Sequence, residues 1–222
     1  MPLFLTEDGS HSIFSEEFQV AYHSKHGAIR ETQHVFIDAG LKYVAARKKT
    51  NIAILEIGFG TGLNVFMTYL EAEKLGLSID YTTLEAYPLP IQTVLELNYA
   101  AQLNAENRQD IFTRLHQTDW NTKDPLSIFF SFSKKLGTFE EAIMPANTYD
   151  LIYFDAFAPE SQPHLWEENF LELMYMSLKK EGLMTTYCAK GIVKRRLKAV
   201  GFVLETLAGP PGKREMIRAI KI

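Results

Sequence analysis

From residue 50 onward, apolar β-branched runs alternate with stretches of helical period, and the alternation predicts strands that each lead into a helix. Residues 51–57 read as a first strand buried on both faces. Leu63, Phe66, Met67 and Leu70 then fall at helical spacing, so a helix is expected over 63–75, with Gly76 as its C-cap. Residues 79–84 form a second strand ending at Glu85, and a proline-led helix follows over 90–99. Residues 111–117 are assigned to a third strand ending near Asp119 and Trp120. A fourth strand over 149–154 ends at Asp155, and a helix over 163–180 is capped by Gly182. A fifth strand (183–187), a short basic helix (191–200) and an antiparallel pair (202–207 and 215–222) complete the series. This is the pattern of an α/β fold with a mostly parallel sheet.

Two parts lie outside the alternation. Residues 1–48 form an N-terminal extension with turn signals at Asp8-Gly9 and His26-Gly27. Residues 121–148 form an insertion between strands three and four, carrying Phe129, Phe130, Phe132 and Phe139. These phenylalanines are expected in a small satellite core in preference to base stacking. The extension and the 49–222 segment are expected to make one compact domain.

Composition narrows the class. The apolar fraction of 46% supports a full core, and the single cysteine, Cys188, excludes an internal disulfide. No signal peptide or apolar run of membrane-spanning length is visible, so a cytoplasmic protein with no membrane partner is expected. The net charge is −4, but residues 190–222 hold nine Lys or Arg against two Glu. That asymmetry permits a local phosphate-binding patch on an acidic protein.

The candidate chemistry starts in residues 54–64, Ile-Leu-Glu-Ile-Gly-Phe-Gly-Thr-Gly-Leu-Asn. A strand running into Gly58, Gly60 and Gly62, then a helix, is a ligand-binding turn of an open α/β sheet. The dinucleotide fingerprint needs a small residue where Leu63 stands, which argues against a nicotinamide cofactor. Glu56 would repel a pyrophosphate but can receive an ammonium group. The spacing resembles the first motif of class I S-adenosylmethionine (SAM) methyltransferases. The expected cofactor set is Glu56, Gly58, Phe59, Gly60, Gly62, Asn64, Glu85, Asp119, Trp120 and Asp155. Glu85, 23 residues beyond Gly62, suits the ribose hydroxyls, and Asp119 with Trp120 suits the adenine. Asp155 is also the candidate to orient or deprotonate an amine acceptor, with Phe157 as a wall. The six histidines are scattered, so no metal site is expected, and no G-x-S-x-G elbow is present.

Longer motifs extend the resemblance over nearly the whole chain. Ser15-Glu16-Glu17-Phe18, Tyr22-His23-Ser24 and Glu31-Thr32-x-x-Val35-Phe36 are similar to the N-terminal signature of the methyltransferase domain of the MnmC family of tRNA-modifying proteins. Asp155-Ala156-Phe157-Ala158-Pro159 resembles that family's D-G-F-A-P loop, followed by Pro163-x-x-Trp166, and Gly212-Lys213-Arg214-Glu215-Met216 resembles its G-R-K-R-E-M ending. Ala156 in place of glycine and Pro210-Pro211 before Lys213 are departures from the pattern.

The resemblance implies a class I SAM-dependent methyltransferase with a Rossmann-like, seven-stranded, mostly parallel sheet. It implies SAM-dependent conversion of 5-aminomethyl-2-thiouridine to its methylaminomethyl form at the tRNA wobble position. It places Glu31 near the methionine end of the cofactor, and Lys194, Arg195, Arg196, Lys213 and Arg214 against the tRNA anticodon arm. The flavin (FAD) domain of the bifunctional family members is not expected in these residues, so a separate enzyme would generate the aminomethyl precursor. The competing readings are a methyltransferase acting on a small-molecule or protein amine, and a non-catalytic SAM-binding protein.

Overall fold

The computed structural model describes residues 2–47, 49–138 and 144–222. The chain opens with a small antiparallel sheet of β1 (Leu3–Leu5), β2 (His11–Ser15) and β3 (Val20–Ala21). A continuous helix follows: α1 (Ala28–Thr32), a π-helical stretch (Gln33–Lys42) and α2 (Tyr43–Ala46). The main strands are β4 (Asn51–Ile57), β5 (Ser78–Glu85), β6 (Lys123–Ser127), β7 (Phe130–Leu136), β8 (Tyr149–Phe154), β9 (Leu178–Thr186), β10 (Val203–Ala208) and β11 (Glu215–Ile220). The helices between them are α3 (Leu63–Leu75), α4 (Ile91–Leu95), α5 (Tyr99–Gln102), α6 (Gln109–Gln117), α7 (Glu168–Ser177) and α8 (Gly191–Ala199).

The eight strands run in the order β10-β11-β9-β8-β4-β5-β7-β6. β7, β5, β4, β8 and β9 are mutually parallel, and β11 enters antiparallel between β9 and β10. Without the edge strand β6, this is the seven-stranded class I methyltransferase sheet. From β4 the chain winds first toward β5 and later returns to lay β8 on the other side. The carboxyl ends of β4, β5 and β8 therefore border a topological switch point, where such sheets bind ligands.

Strand period sorts the core into two layers. Ile54, Tyr81, Phe132 and Tyr153 face one layer, with Val35, Phe36 and Leu41 of the N-terminal helix packed there. Leu55, Ile57, Ile152, Phe154 and Trp166 face the other. The helix comes close enough at Gly40 that an added Cβ would lie 3.1 Å from the Tyr153 ring.

Several expected elements differ. Residues 111–117 are not a strand but part of α6, which buries Ile111, Phe112 and Leu115 along one side. The third parallel strand is β7, inside the segment expected to be an insertion. Phe130 and Phe132 thus belong to the main core and not to a satellite core; Phe139 lies outside the described residues. The expected helix over 90–99 divides into α4 and α5. Residues 163–180 divide into a 3₁₀ turn (Pro163–Trp166), α7 and the start of β9. Gly182 is not a cap: it lies inside β9, where an added Cβ would meet the Lys179 carbonyl oxygen at 2.9 Å.

Candidate functional site

A cleft of about 560 Å³ opens at the switch point, lined by the glycine turn, Asn64, Glu85, Tyr87, Asp155–Phe157, Gln162 and residues of the N-terminal extension. Its floor is the turn after β4. Gly58 has φ 91°, and a Cβ there would lie 2.8 Å from the Asp155 carbonyl oxygen. Gly62 has φ 74°, and a Cβ there would lie 2.6 Å from His116 Nε2. Side chains are excluded at both positions by conformation and by space. His116 Nε2 donates to the Thr61 carbonyl at 3.1 Å, and His23 Nε2 meets the Thr61 hydroxyl at 2.8 Å. Burial pushes His116 down to about 3 and His23 to about 4, so both hold the turn as neutral rings.

Glu85 projects from the end of β5 and accepts the Gly60 N–H at 2.8 Å and the Tyr87 N–H at 2.7 Å. Burial raises its pKa despite these donors. The carboxylate therefore shapes the glycine turn while lining the cleft.

Asp155, at the end of β8, lines the opposite wall. Asn64 Nδ2 donates to its Oδ2 at 2.8 Å, and Thr32 Oγ1 donates to Asn64 Oδ1 at 2.9 Å. Burial, then the nearby Glu31 charge, raise the Asp155 carboxyl to about 7; donation from Asn64 and the Lys213 charge oppose them. The loop after it is pinned from three sides. Gln162 Oε1 accepts the Phe157 N–H at 2.9 Å, Trp166 Nε1 donates to the Phe157 carbonyl at 2.8 Å, and the Tyr187 hydroxyl donates to the Ala156 carbonyl at 2.9 Å.

The extension supplies an aromatic wall. Phe157 lies 5.0 Å from Phe18 and 5.2 Å from Tyr22 between ring centroids, and Phe18 lies 5.1 Å from Tyr87. Sequence reading assigned no role to Phe18, Tyr22, His23, Tyr87 or Gln162. The first three lie within the N-terminal signature, which was the available signal.

Other expected site residues lie elsewhere. Glu56 is fully buried and does not line the cleft; neither carboxyl oxygen has a hydrogen-bond partner among the described residues. Burial holds its pKa well above the usual carboxylate range. Buried beneath the turn and absent from the cleft wall, it is not placed to receive an ammonium group directly. Asp119 and Trp120 follow a helix, not a strand; Trp120 stands 6.4 Å from the Phe59 ring, and Asp119 borders a separate groove with Arg114, Thr118 and Asp124. Neither lines the cleft. Lys134 fills the space beside them, 4.4 Å from the Trp120 ring centroid and donating to the His116 carbonyl; burial lowers its pKa to about 8.

The basic residues divide into two sets. Lys213 pairs with Glu31, Lys194 pairs with Glu215 at 2.6 Å, and Arg196 donates to the Trp166 carbonyl at 3.0 Å. Arg195 and Arg214 are exposed. Arg214 borders a second groove of about 890 Å³, together with Ala158, Tyr187, Cys188, Lys190 and Lys213.

Taken together, the cleft has an aromatic wall and two carboxylates at strand ends, Glu85 buried and Asp155 half-buried. Its turn admits close backbone approach, as an adenosyl group with a charged amino-acid tail requires. Among the described residues, no group of three or more His, Cys, Asp or Glu could hold a metal ion, and no helix is long and apolar enough to cross a membrane.

Comparison with known proteins agrees with this geometry. A family described as S-adenosyl-L-methionine-dependent methyltransferase matches residues 94–222. The chain is 29% identical over 219 residues to the tRNA 5-methylaminomethyl-2-thiouridine biosynthesis bifunctional protein MnmC of Leptospira interrogans, covering 91% of this chain and 33% of that protein. It is 26% identical over 227 residues to the MnmC protein of a Marinomonas species, covering 95% and 32%. The chain thus spans about a third of the length of these curated relatives. The crystal structure of MNMC2 from Aquifex aeolicus superposes with a TM-score of 0.79 at 23% identity, covering 98% of this chain and 68% of that one.

Proposed function

Because the chain belongs to the S-adenosyl-L-methionine-dependent methyltransferase family, we propose that it methylates the primary amine of 5-aminomethyluridine, with or without the 2-thio group, at the wobble position of tRNA. The observation that carries this reading is Asp155. It is a half-buried carboxyl raised to about 7, facing the cleft from a loop pinned by Gln162, Trp166 and Tyr187. The names of the MnmC relatives support the choice of acceptor.

SAM, when bound, supplies an electrophilic methyl group on a sulfonium. The glycine turn and Glu85 would hold the adenosyl part, with Asp155 and Asn64 beside the amino-acid part. An aliphatic ammonium has no lone pair to attack with, so the acceptor must first lose a proton. Asp155 orients the nitrogen and takes that proton, a transfer favoured when the base titrates near the working pH. Phe157, Phe18 and Tyr22 exclude water, and their faces favour a cationic centre. The exposed Arg195 and Arg214 are the proposed phosphate contacts.

The test is to incubate purified protein with SAM and tRNA carrying 5-aminomethyl-2-thiouridine, followed by nucleoside mass spectrometry. The methylaminomethyl nucleoside is expected, and its absence overturns the reading. A second reading, methylation of a small-molecule or protein amine, draws support from the internal pairing of Lys194, Arg196 and Lys213. It predicts tRNA binding with a shallow salt dependence, because few phosphates would be neutralised.

A further inference from the structure

Lys213 and Glu31 are 182 residues apart in the chain and meet beside Asp155. Glu31 is 7% exposed, and its other carboxyl oxygen accepts the Ser24 N–H at 2.9 Å. Lys213 Nζ donates to Glu31 and lies 3.9 Å from the centroid of the Tyr187 ring. Tyr187 in turn donates to the Ala156 carbonyl, next to Asp155. The lysine is therefore committed twice within the protein, to a carboxylate and to an aromatic face. Exchanging the carboxylate for a phosphate would break a partly buried ion pair, which leaves a buried charge uncompensated.

We propose that the Glu31–Lys213 pair is a positioning device that sets the charge around Asp155 and holds Tyr187 against the 155–159 loop, and that Lys213 is not a contact for tRNA phosphate. The proposal rests on reading Asp155 as the group that takes the amine proton. The two charges act on Asp155 in opposite senses: Glu31 raises its carboxyl and Lys213 lowers it. The other titratable groups facing Asp155 are Glu56 from β4, Tyr81 from β5 and Tyr187 after β9. Burial raises all three, disfavouring their charged forms, and the pair supplies nearby charges that can be altered.

The experiment is a carbon-13 NMR titration of the Asp155 carboxyl in the full chain, with the signal assigned by Asp155→Asn. Glu31→Gln is expected to move the titration to lower pH, and Lys213→Met to move it to higher pH. Lys213→Arg is expected to leave it near the unsubstituted position and serves as the control for folding. A displacement of one unit changes the ionised fraction about tenfold on the acid side, and the acid limb of kcat/KM should follow. The substrate amine's own titration is common to all variants and cancels in the comparison. A purely structural pair would not produce displacements of opposite sign, so shifts in the same direction, or no shift, overturn the proposal. It is also overturned if Lys213→Met reduces the slope of log K against log salt for tRNA binding by about 0.7–0.9, the loss of one phosphate contact. The titration uses neither tRNA nor SAM. Failure of tRNA methylation by the unsubstituted protein would overturn the proposed function and leave this measurement intact.

Discussion

Asn64 Nδ2 donates to Asp155 Oδ2 at 2.8 Å, tying the first turn of α3 to the end of β8. The amide oxygen is already filled by Thr32, so the orientation of Asn64 is set from the N-terminal helix. Asn64→Ala removes the donor that favours the ionised form of Asp155. The acid limb of kcat/KM should move to higher pH, and stability to urea should fall by about 1–3 kcal/mol. A pH–rate profile identical to that of the unsubstituted protein would show that this contact does not tune Asp155.

Asp155 itself lowers stability at neutral pH. Its folded-state pKa of about 7 lies above the ordinary 3.8, so the folded protein binds the proton more tightly than the unfolded chain. The stability this carboxyl contributes is fully present below its unfolded value and is lost as pH rises through about 7. Asp155→Asn removes that dependence. The variant should match the unsubstituted protein near pH 4 and exceed it by roughly 4 kcal/mol at pH 8, while losing methyl transfer. Urea unfolding at the two pH values is the measurement, and equal gains at both would refute it.

Glu85 holds two backbone donors, and Glu85→Ala would leave the Gly60 and Tyr87 N–H groups without their acceptor. SAM binding measured by calorimetry should weaken by roughly tenfold or more, because each charge-assisted hydrogen bond is worth about 1.5–3 kcal/mol. Glu85→Gln, which keeps one acceptor oxygen, should lie between. An unchanged dissociation constant for Glu85→Ala would separate the carboxylate from the cofactor site.

Gly62→Ala should destabilise by about 1–3 kcal/mol from the positive φ alone, with the His116 contact in addition. Combining it with His116→Ala should recover the contact part and leave the conformational part. The same recovery should be visible in SAM affinity, since both residues shape the turn. If Gly62→Ala is as stable as the unsubstituted protein in urea, the turn is not held in the conformation described.

The legible parts of the fold were those where local pattern and burial coincide. β4, the glycine turn and α3 were readable from a doubly buried strand run, an interrupted glycine spacing and a helical period. The six residues of β8 are all buried, so its end at Asp155 was equally plain. The third strand was not. Ile111, Phe112 and Leu115 suit a strand by composition, yet they stand one and four positions apart and make one side of a helix. β7 buries Ser133 and Lys134 alongside its phenylalanines, and that polar content concealed a central strand.

The sequence by itself determined the ligand turn and the carboxylates at residues 85 and 155, because each depends on neighbours a few residues apart or on alternation along the chain. Only the tertiary structure decided what those groups meet. It sealed Glu56 beneath the turn, turned Glu85 onto the Gly60 amide, set Trp120 against Phe59, and paired Lys213 with Glu31. The physical reason is that a charge is characterised by its desolvation and its partners. For these residues the partners lie on other elements, brought close by packing that no local pattern encodes.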